Sequence, residues 1–123
     1  MLRFAMVLAA SVGCLVWAPA ATAKPAPAAR ALHQLFSDEW ERTLRESPET
    51  ASYNGDTRYD DRWSDMSLAT IARQEAADRA ALARLHSINR QALSAADRVH
   101  YDTFEWQLKR AVERQRFREY LEP

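Results

Sequence analysis

Cysteine is nearly absent: Cys14 is the single one, inside an N-terminal apolar run, so no disulfide can staple the rest of the chain. Glycine is almost as scarce, two in 123 residues, and with alanine, leucine, arginine and glutamate abundant this points to helices. Net charge is missing too. Seventeen basic residues against 17 acidic ones leave no field of one sign to collect nucleic acid or anionic lipid. The one long apolar run, Phe4 to Trp17, holds about 14 residues, where a comfortable bilayer span takes roughly 20.

What that run does offer is an export signal. Arg3 supplies a short positive start, the apolar stretch follows, and Ala21-Thr22-Ala23 fits the small-x-small cleavage pattern. Residues 1–23 therefore read as a signal peptide, and the protein as periplasmic or secreted, with no stable membrane span after cleavage. Lipoprotein processing at Cys14 is a rival reading, although Ser11-Val12-Gly13 lacks the usual leucine three back and apolar sequence continues beyond the cysteine. Cleavage after Ala23 leaves 100 residues from Lys24, with 16 basic against 17 acidic side chains. That is enough for one small domain, which buries its surface less completely than a larger one.

The remainder reads as an all-α bundle of three long helices and a short one. Residues 24–30, KPAPAAR, form a proline-alanine spacer expected to be extended. A first long helix spans about Ala31 to Glu46, with Leu32, Leu35, Phe36, Trp40 and Leu44 on one face. Asp38 with Arg42, and Glu41 with Arg45, are expected as i,i+4 pairs on its solvated side. Ser47-Pro48 restarts the chain, the serine as cap and the proline at the first helical position, and Gly55 offers a left-handed stop. A short helix over Pro48 to Tyr53 follows, then a polar loop from Asp56 to Met66. Ser67 opens a second long helix, Leu68 to His86, whose buried stripe is expected at Leu68, Ile71, Ala72, Leu82 and Leu85, with Glu75 and Arg79 as an exposed pair. Ser94-Ala95-Ala96-Asp97, a capping-box variant, opens a third long helix that runs to roughly Arg116. No internal repeat is present.

The third long helix carries two apolar stripes. At 100° per residue, Tyr101, Phe104, Leu108 and Val112 share a face suited to the other helices. Val99, Trp106, Phe117 and, further round, Tyr120 and Leu121 lie nearly opposite. A three-helix domain has no layer to cover that second stripe, so Val99, Trp106 and Phe117 read as an interface, either with the remainder of the same polypeptide or with a second copy. The sequence stops at Leu121-Glu122-Pro123, in the middle of this aromatic-rich segment.

Local chemistry is sparse. His33, His86 and His100 lack ligand spacing, for none has a second histidine four residues on. Asp56, Asp60 and Asp61 beside Gly55 lack the D-x-D-x-D-G order and distal glutamate of a calcium loop, and interleaved Arg58 and Arg62 neutralise them more simply. Ser52, Ser64 and Ser67 fall in no motif that pairs a serine with a base. No catalytic, cofactor-binding or metal-binding residue is assigned.

Three motifs in order carry a family resemblance. They are Arg45-Glu46-Ser47-Pro48-Glu49, the loop Gly55-Asp56-Thr57-Arg58-Tyr59-Asp60-Asp61-Arg62, and Leu93-Ser94-Ala95-Ala96-Asp97-Arg98. Over about residues 31–121 the chain resembles the start of the bacterial family catalogued as domain of unknown function 885. The resemblance implies a large, mostly helical, exported protein distantly similar to gluzincin-type zinc metallopeptidases. In these a downstream H-E-x-x-H helix binds zinc through two histidines while the glutamate activates water. No such motif lies in these 123 residues, so residues 31–123 are expected to be the N-terminal helical segment of a truncated hydrolase, with zinc belonging to the absent half. Arg58, Tyr59 and Trp63, with Tyr53, would then form part of a substrate-cleft wall, an arginine reading a peptide carboxylate; alternatively Tyr59 and Trp63 staple the loop to the helices. The competing function is a small stand-alone periplasmic interaction module docking through the second stripe.

Overall fold

The computed structural model describes residues 26–118, and the signal peptide, Tyr120 and Leu121 lie outside the described residues. The described chain is all-α, four helices with no strand among them: α1 (Pro27–Glu46), α2 (Pro48–Tyr53), α3 (Leu68–His86) and α4 (Ala95–Arg114). Short 3-10 turns sit at Thr57–Tyr59, Arg90–Ala92 and Gln115–Phe117. No helix among the described residues is long and apolar enough to cross a membrane.

Polar ties give the directions. Arg79 of α3 donates to Gln115 beyond α4, and His86 at the end of α3 meets Glu105 near the middle of α4, so these two helices run antiparallel. Asp38 of α1 meets Arg84 of α3, and Arg42 meets Asp78, so α1 is antiparallel to α3 and parallel to α4. The main core sits where the first half of α1 meets the end of α3 and the start of α4. Leu32, Leu35 and Leu85 are fully buried there, with Ile88, Leu93, Tyr101 and Leu108 around them. Full burial of a leucine contributes about 1.5–3 kcal/mol, so these three and the Phe36–Phe104 edge-to-face pair, centroids 5.1 Å apart, anchor the bundle. Leu44, Pro48 and Ala51 are buried outside this cluster, at the α1–α2 corner.

Helix starts follow the local chemistry in two cases of three. Ser67 Oγ accepts the Thr70 N–H at 3.3 Å, and Ser94 Oγ accepts the Asp97 N–H at 3.1 Å. Asp97 does not return a bond to the backbone as a capping box would; its carboxylate takes the Ser94 hydroxyl instead, at 2.8 Å. Ser47 makes no side-chain cap, and its hydroxyl pairs with that of Thr50 at 2.8 Å. Gly55 adopts φ +81°, the left-handed stop expected after α2.

Several expectations are corrected. α1 begins at Pro27 rather than Ala31, because proline fits the first turn of a helix without loss, and Ala29 from the expected spacer is buried in the core. Trp40 is 50% exposed, although it lies between Phe36 and the buried Leu44 on the expected α1 face. In α3 the buried positions are Thr70, Ala81 and Leu85, whereas Leu68 and Ala72 are exposed and Ile71 is half-buried. The α4 face is as expected, with Tyr101 and Leu108 buried and Phe104 and Val112 half-buried, but the α-helix ends at Arg114 in a 3-10 turn.

The charged side of α1 does more than face solvent. Arg42 binds Glu39 at 2.7 Å, Glu46 at 3.0 Å and Asp78 of α3 at 2.7 Å, and not Asp38. Asp38 binds Arg84 at 2.5 Å, and Glu41 binds Arg58 rather than Arg45. Arg79 donates to the Gln115 side chain rather than to Glu75, and the Gln115 amide in turn donates to the Glu75 backbone carbonyl. Each expected i,i+4 pair is thus displaced by a partner distant in sequence.

Candidate functional site

The loop between α2 and α3 is organised by one carboxylate of α1. Arg58 donates to both Glu41 oxygens, at 2.8 and 3.0 Å, and also grips Asp56 through Nε at 2.9 Å and through its second terminal nitrogen at 2.5 Å. The Tyr59 hydroxyl donates to the same Glu41 at 2.9 Å. Arg58 lies 5.2 Å and Arg62 5.8 Å from the Tyr59 ring centroid, two cation–π contacts that help hold the ring. The Arg58 bonds, with that of Tyr59, hold the Glu41 carboxyl below its usual value, and Arg58 does the same for Asp56. In return the bond to Glu41 raises the Tyr59 hydroxyl, and Asp56 and Glu41 together raise Arg58.

A second tie closes the loop from the α2 side. Glu49 accepts the Ser64 N–H at 3.0 Å and its hydroxyl at 2.5 Å, which lowers the Glu49 carboxyl. Asp60 accepts the Ser52 hydroxyl at 2.5 Å, and Asp65 accepts the Ser67 N–H at 2.9 Å ahead of α3. Ser52, Ser64 and Ser67 therefore each donate to a carboxylate that shapes the backbone. Ser94 and His33 likewise both bind Asp97, the imidazole at 2.9 Å, and no bond joins the serine to the imidazole. That order activates no hydroxyl for attack.

Of the expected site residues, Arg58 and Tyr59 are brought together on Glu41, while Trp63 stands apart and 83% exposed. Tyr59 staples the loop to α1; Trp63 does not. Arg58 is fully engaged with two carboxylates, so it is not free to read a ligand carboxylate. Arg62 pairs with its neighbour Asp61 at 2.8 Å, as expected for a loop that neutralises itself. Sequence reasoning missed Glu41 as the anchor, having paired it with Arg45, and missed Glu49 as the second tie. Charge balance gave no signal for either, because the loop's two arginines are already outnumbered by its own four aspartates.

The outer face of α4 is the second candidate. Val99, Trp106 and Phe117 are exposed by 64, 59 and 57%, on the side away from Tyr101 and Leu108. Arg110 lies 5.1 Å from the Trp106 ring and Arg116 4.7 Å from that of Phe117, so each ring carries an arginine of its own segment.

The zinc implied by the resemblance does not fit the described residues. His33 is on Asp97, His86 is on Glu105 at 2.8 Å, and His100 is near enough to Asp97 only to be felt electrostatically. No three histidine, cysteine, aspartate or glutamate side chains among the described residues converge as ligands would.

Fold and loop together define an all-α protein whose inter-helix loop is pinned to its first helix by an exposed, bidentate ion pair and a part-buried tyrosine hydroxyl. The family described as "Bacterial protein of unknown function (DUF885)" matches residues 48–122, more than half of the chain, and the protein belongs to that family. The matched region starts at Pro48, so it takes in α2, the pinned loop, α3 and α4 and leaves α1 outside. No curated protein and no solved structure matches the chain.

Proposed function

We propose that this chain is the N-terminal helical part of an exported hydrolase resembling zinc metallopeptidases, and that its task is to support a catalytic half supplied by further sequence. The observation that carries this reading is the uncovered apolar face of α4, Val99, Trp106 and Phe117, in a domain whose opposite α4 face is already packed. The export pattern of residues 1–23 adds the compartment. In this reading the remainder of the same polypeptide covers the α4 face, and the 56–63 loop, held to α1 by Glu41, forms one wall of the substrate cleft. Zinc and the water-activating glutamate belong to the downstream part, and no step of the reaction falls to residues of this chain.

The test is to read the coding sequence past the codon for Pro123 and to assay Lys24–Pro123 alone. An open frame reaching an H-E-x-x-H helix, with no zinc and no peptide cleavage in the isolated segment, supports the proposal. Stoichiometric, tightly held zinc in the segment overturns it. The same exposed face favours a second reading, a stand-alone periplasmic module that self-associates through α4. A stop codon after Pro123 together with a stable folded oligomer would select that one.

A further inference from the structure

Two open clefts share Arg62 and Trp63 as a common wall. One, of about 430 Å³, is completed by Pro48, Glu49, Ser52, Asp60 and Asp61. The other, of about 310 Å³, is completed by Arg45, Glu46, Asp65, Thr70 and Arg73. Both volumes are at the lower end of the range for small-molecule sites.

The charges that remain uncompensated differ in sign between them. In the larger cleft, Arg62 cancels Asp61, but Glu49 and Asp60 receive only serine hydroxyls and an N–H, and have no ion-pair partner among the described residues. In the smaller cleft, Arg42 takes Glu46, and Asp65, bonded only to the Ser67 N–H and the Ser67 and Thr70 hydroxyls, keeps its charge and lies near Arg73, which it balances. Arg45 has no ion-pair partner among the described residues, and Arg73 donates to the Thr70 hydroxyl at 2.6 Å. Between these two charges stands Trp63, with neither a ring nor a cation stacked on it among the described residues. Carboxylates alone, or arginines alone, would be an ordinary solvated surface. An exposed indole with two unmatched carboxylates in one adjoining cleft and a net positive charge, that of Arg45, in the other matches a molecule with an ammonium, a carboxylate and an apolar stretch between them.

We propose that Trp63 and its two flanking clefts form a recognition site for a zwitterionic amino compound, a short peptide with free ends. The ammonium enters the cleft of Glu49 and Asp60, the carboxylate enters the cleft of Arg45 and Arg73, and the backbone lies on the indole. The site uses the loop that the proposed hydrolase would place along its cleft, yet binding is read on this chain alone. Its failure therefore leaves the hydrolase reading standing, and the absence of a downstream catalytic motif leaves this one standing.

The test is a titration of the ¹⁵N-labelled chain with trialanine, following the indole N–H signal assigned to Trp63 by its loss in Trp63→Phe. N-acetylated, C-amidated and doubly capped trialanine are the comparison ligands. The expected result is a saturable shift at Trp63 that weakens about fivefold on capping either end, the scale of one exposed ion pair. Asp60→Asn, which keeps an acceptor for Ser52, removes the penalty of acetylation. Arg45→Gln, which breaks no bond seen in the structure, removes that of amidation. Absence of saturation, equal binding of the doubly capped peptide, sensitivity to one end only, or penalties unchanged in both variants would each overturn the proposal.

Discussion

Replacing Arg42 by methionine tests how the pinned loop is held in place, because Arg42 braces the turn of α1 that presents Glu41. Its guanidinium is 18% exposed and binds three carboxylates, Glu39, Glu46 and Asp78, themselves 17–29% exposed. Burial opposes its charge, but Glu39, Asp78 and Glu46 outweigh that and hold Arg42 more firmly protonated than a free arginine. An exposed pair contributes up to about 1 kcal/mol, and breaking a fully buried one costs about 3–5 kcal/mol. Three half-shielded bonds lie between those limits, so Arg42→Met should lower stability by about 2–3 kcal/mol at pH 7. Methionine retains most of the apolar stem, which separates charge from packing. Urea unfolding followed by helical circular dichroism gives the value. In a chain that also carries Glu39→Gln, Glu46→Gln and Asp78→Asn, the same replacement should cost less than about 1 kcal/mol, since no carboxylate is left unpaired. Arg42→Lys should recover only part of the loss, because a point charge cannot span three acceptors. A loss below about 0.5 kcal/mol in the otherwise unaltered chain, or a full loss in the neutralised one, would refute the network as the brace.

Three other outcomes are expected. Gly55→Ala should cost about 1 kcal/mol by urea unfolding, all of it backbone strain at φ +81°, since a Cβ there meets nothing within 4 Å. Glu41, Asp56 and Glu49 are depressed in the folded chain, so the stability they contribute is present above their ordinary values of 4.5, 3.8 and 4.5 and is lost as pH falls through the lower folded ones. Amide protection in residues 56–64, taken relative to the intrinsic exchange rate at each pH, should accordingly fall on acidification before that of the α3–α4 core, whereas simultaneous loss would contradict it. Trp106→Ser with Phe117→Ser should reduce self-association in sedimentation while helicity is retained; a collapse of helicity would mean that these rings are core.

The α4 pattern was legible because its bulky residues repeat at helical spacing: Tyr101, Phe104, Leu108 and Val112 leave one choice of face, and the structure packs that face. α3 was not, because alanines dominate it and mark no face: at 100° per residue Thr70 and Ala81 lie nearly opposite Leu68 and Ala72, yet the structure buries the former pair. Helix limits set by a capping serine or a left-handed glycine were readable, as at Ser67, Ser94 and Gly55. The start of α1 was not, since proline and alanine serve a spacer and a first helical turn equally.

The candidate site was legible in composition and illegible in connection. Arg58, Tyr59 and Trp63 were singled out as one group, yet two are ties and one is surface, and the difference lies in Glu41, seventeen positions from Arg58 and eighteen from Tyr59. Helical spacing offers Glu41 a partner at Arg45, but a flexible i,i+4 pair on a solvated face gains only about 0.3–0.5 kcal/mol. A bidentate arginine and a tyrosine hydroxyl arriving together offer more, so the tertiary partner wins. The consequence reaches the site itself, because Arg45, released from Glu41, is left without a carboxylate beside Trp63. The charge that makes the smaller cleft basic is thus produced by the same exchange of partners that fixes the loop. Glu41→Gln should therefore loosen Tyr59 and the 56–62 segment while leaving Arg45 unpaired, and Arg45→Gln should leave the loop in place. If Arg45→Gln instead freed the loop, the two would be one network and the separation of tie from site would be wrong.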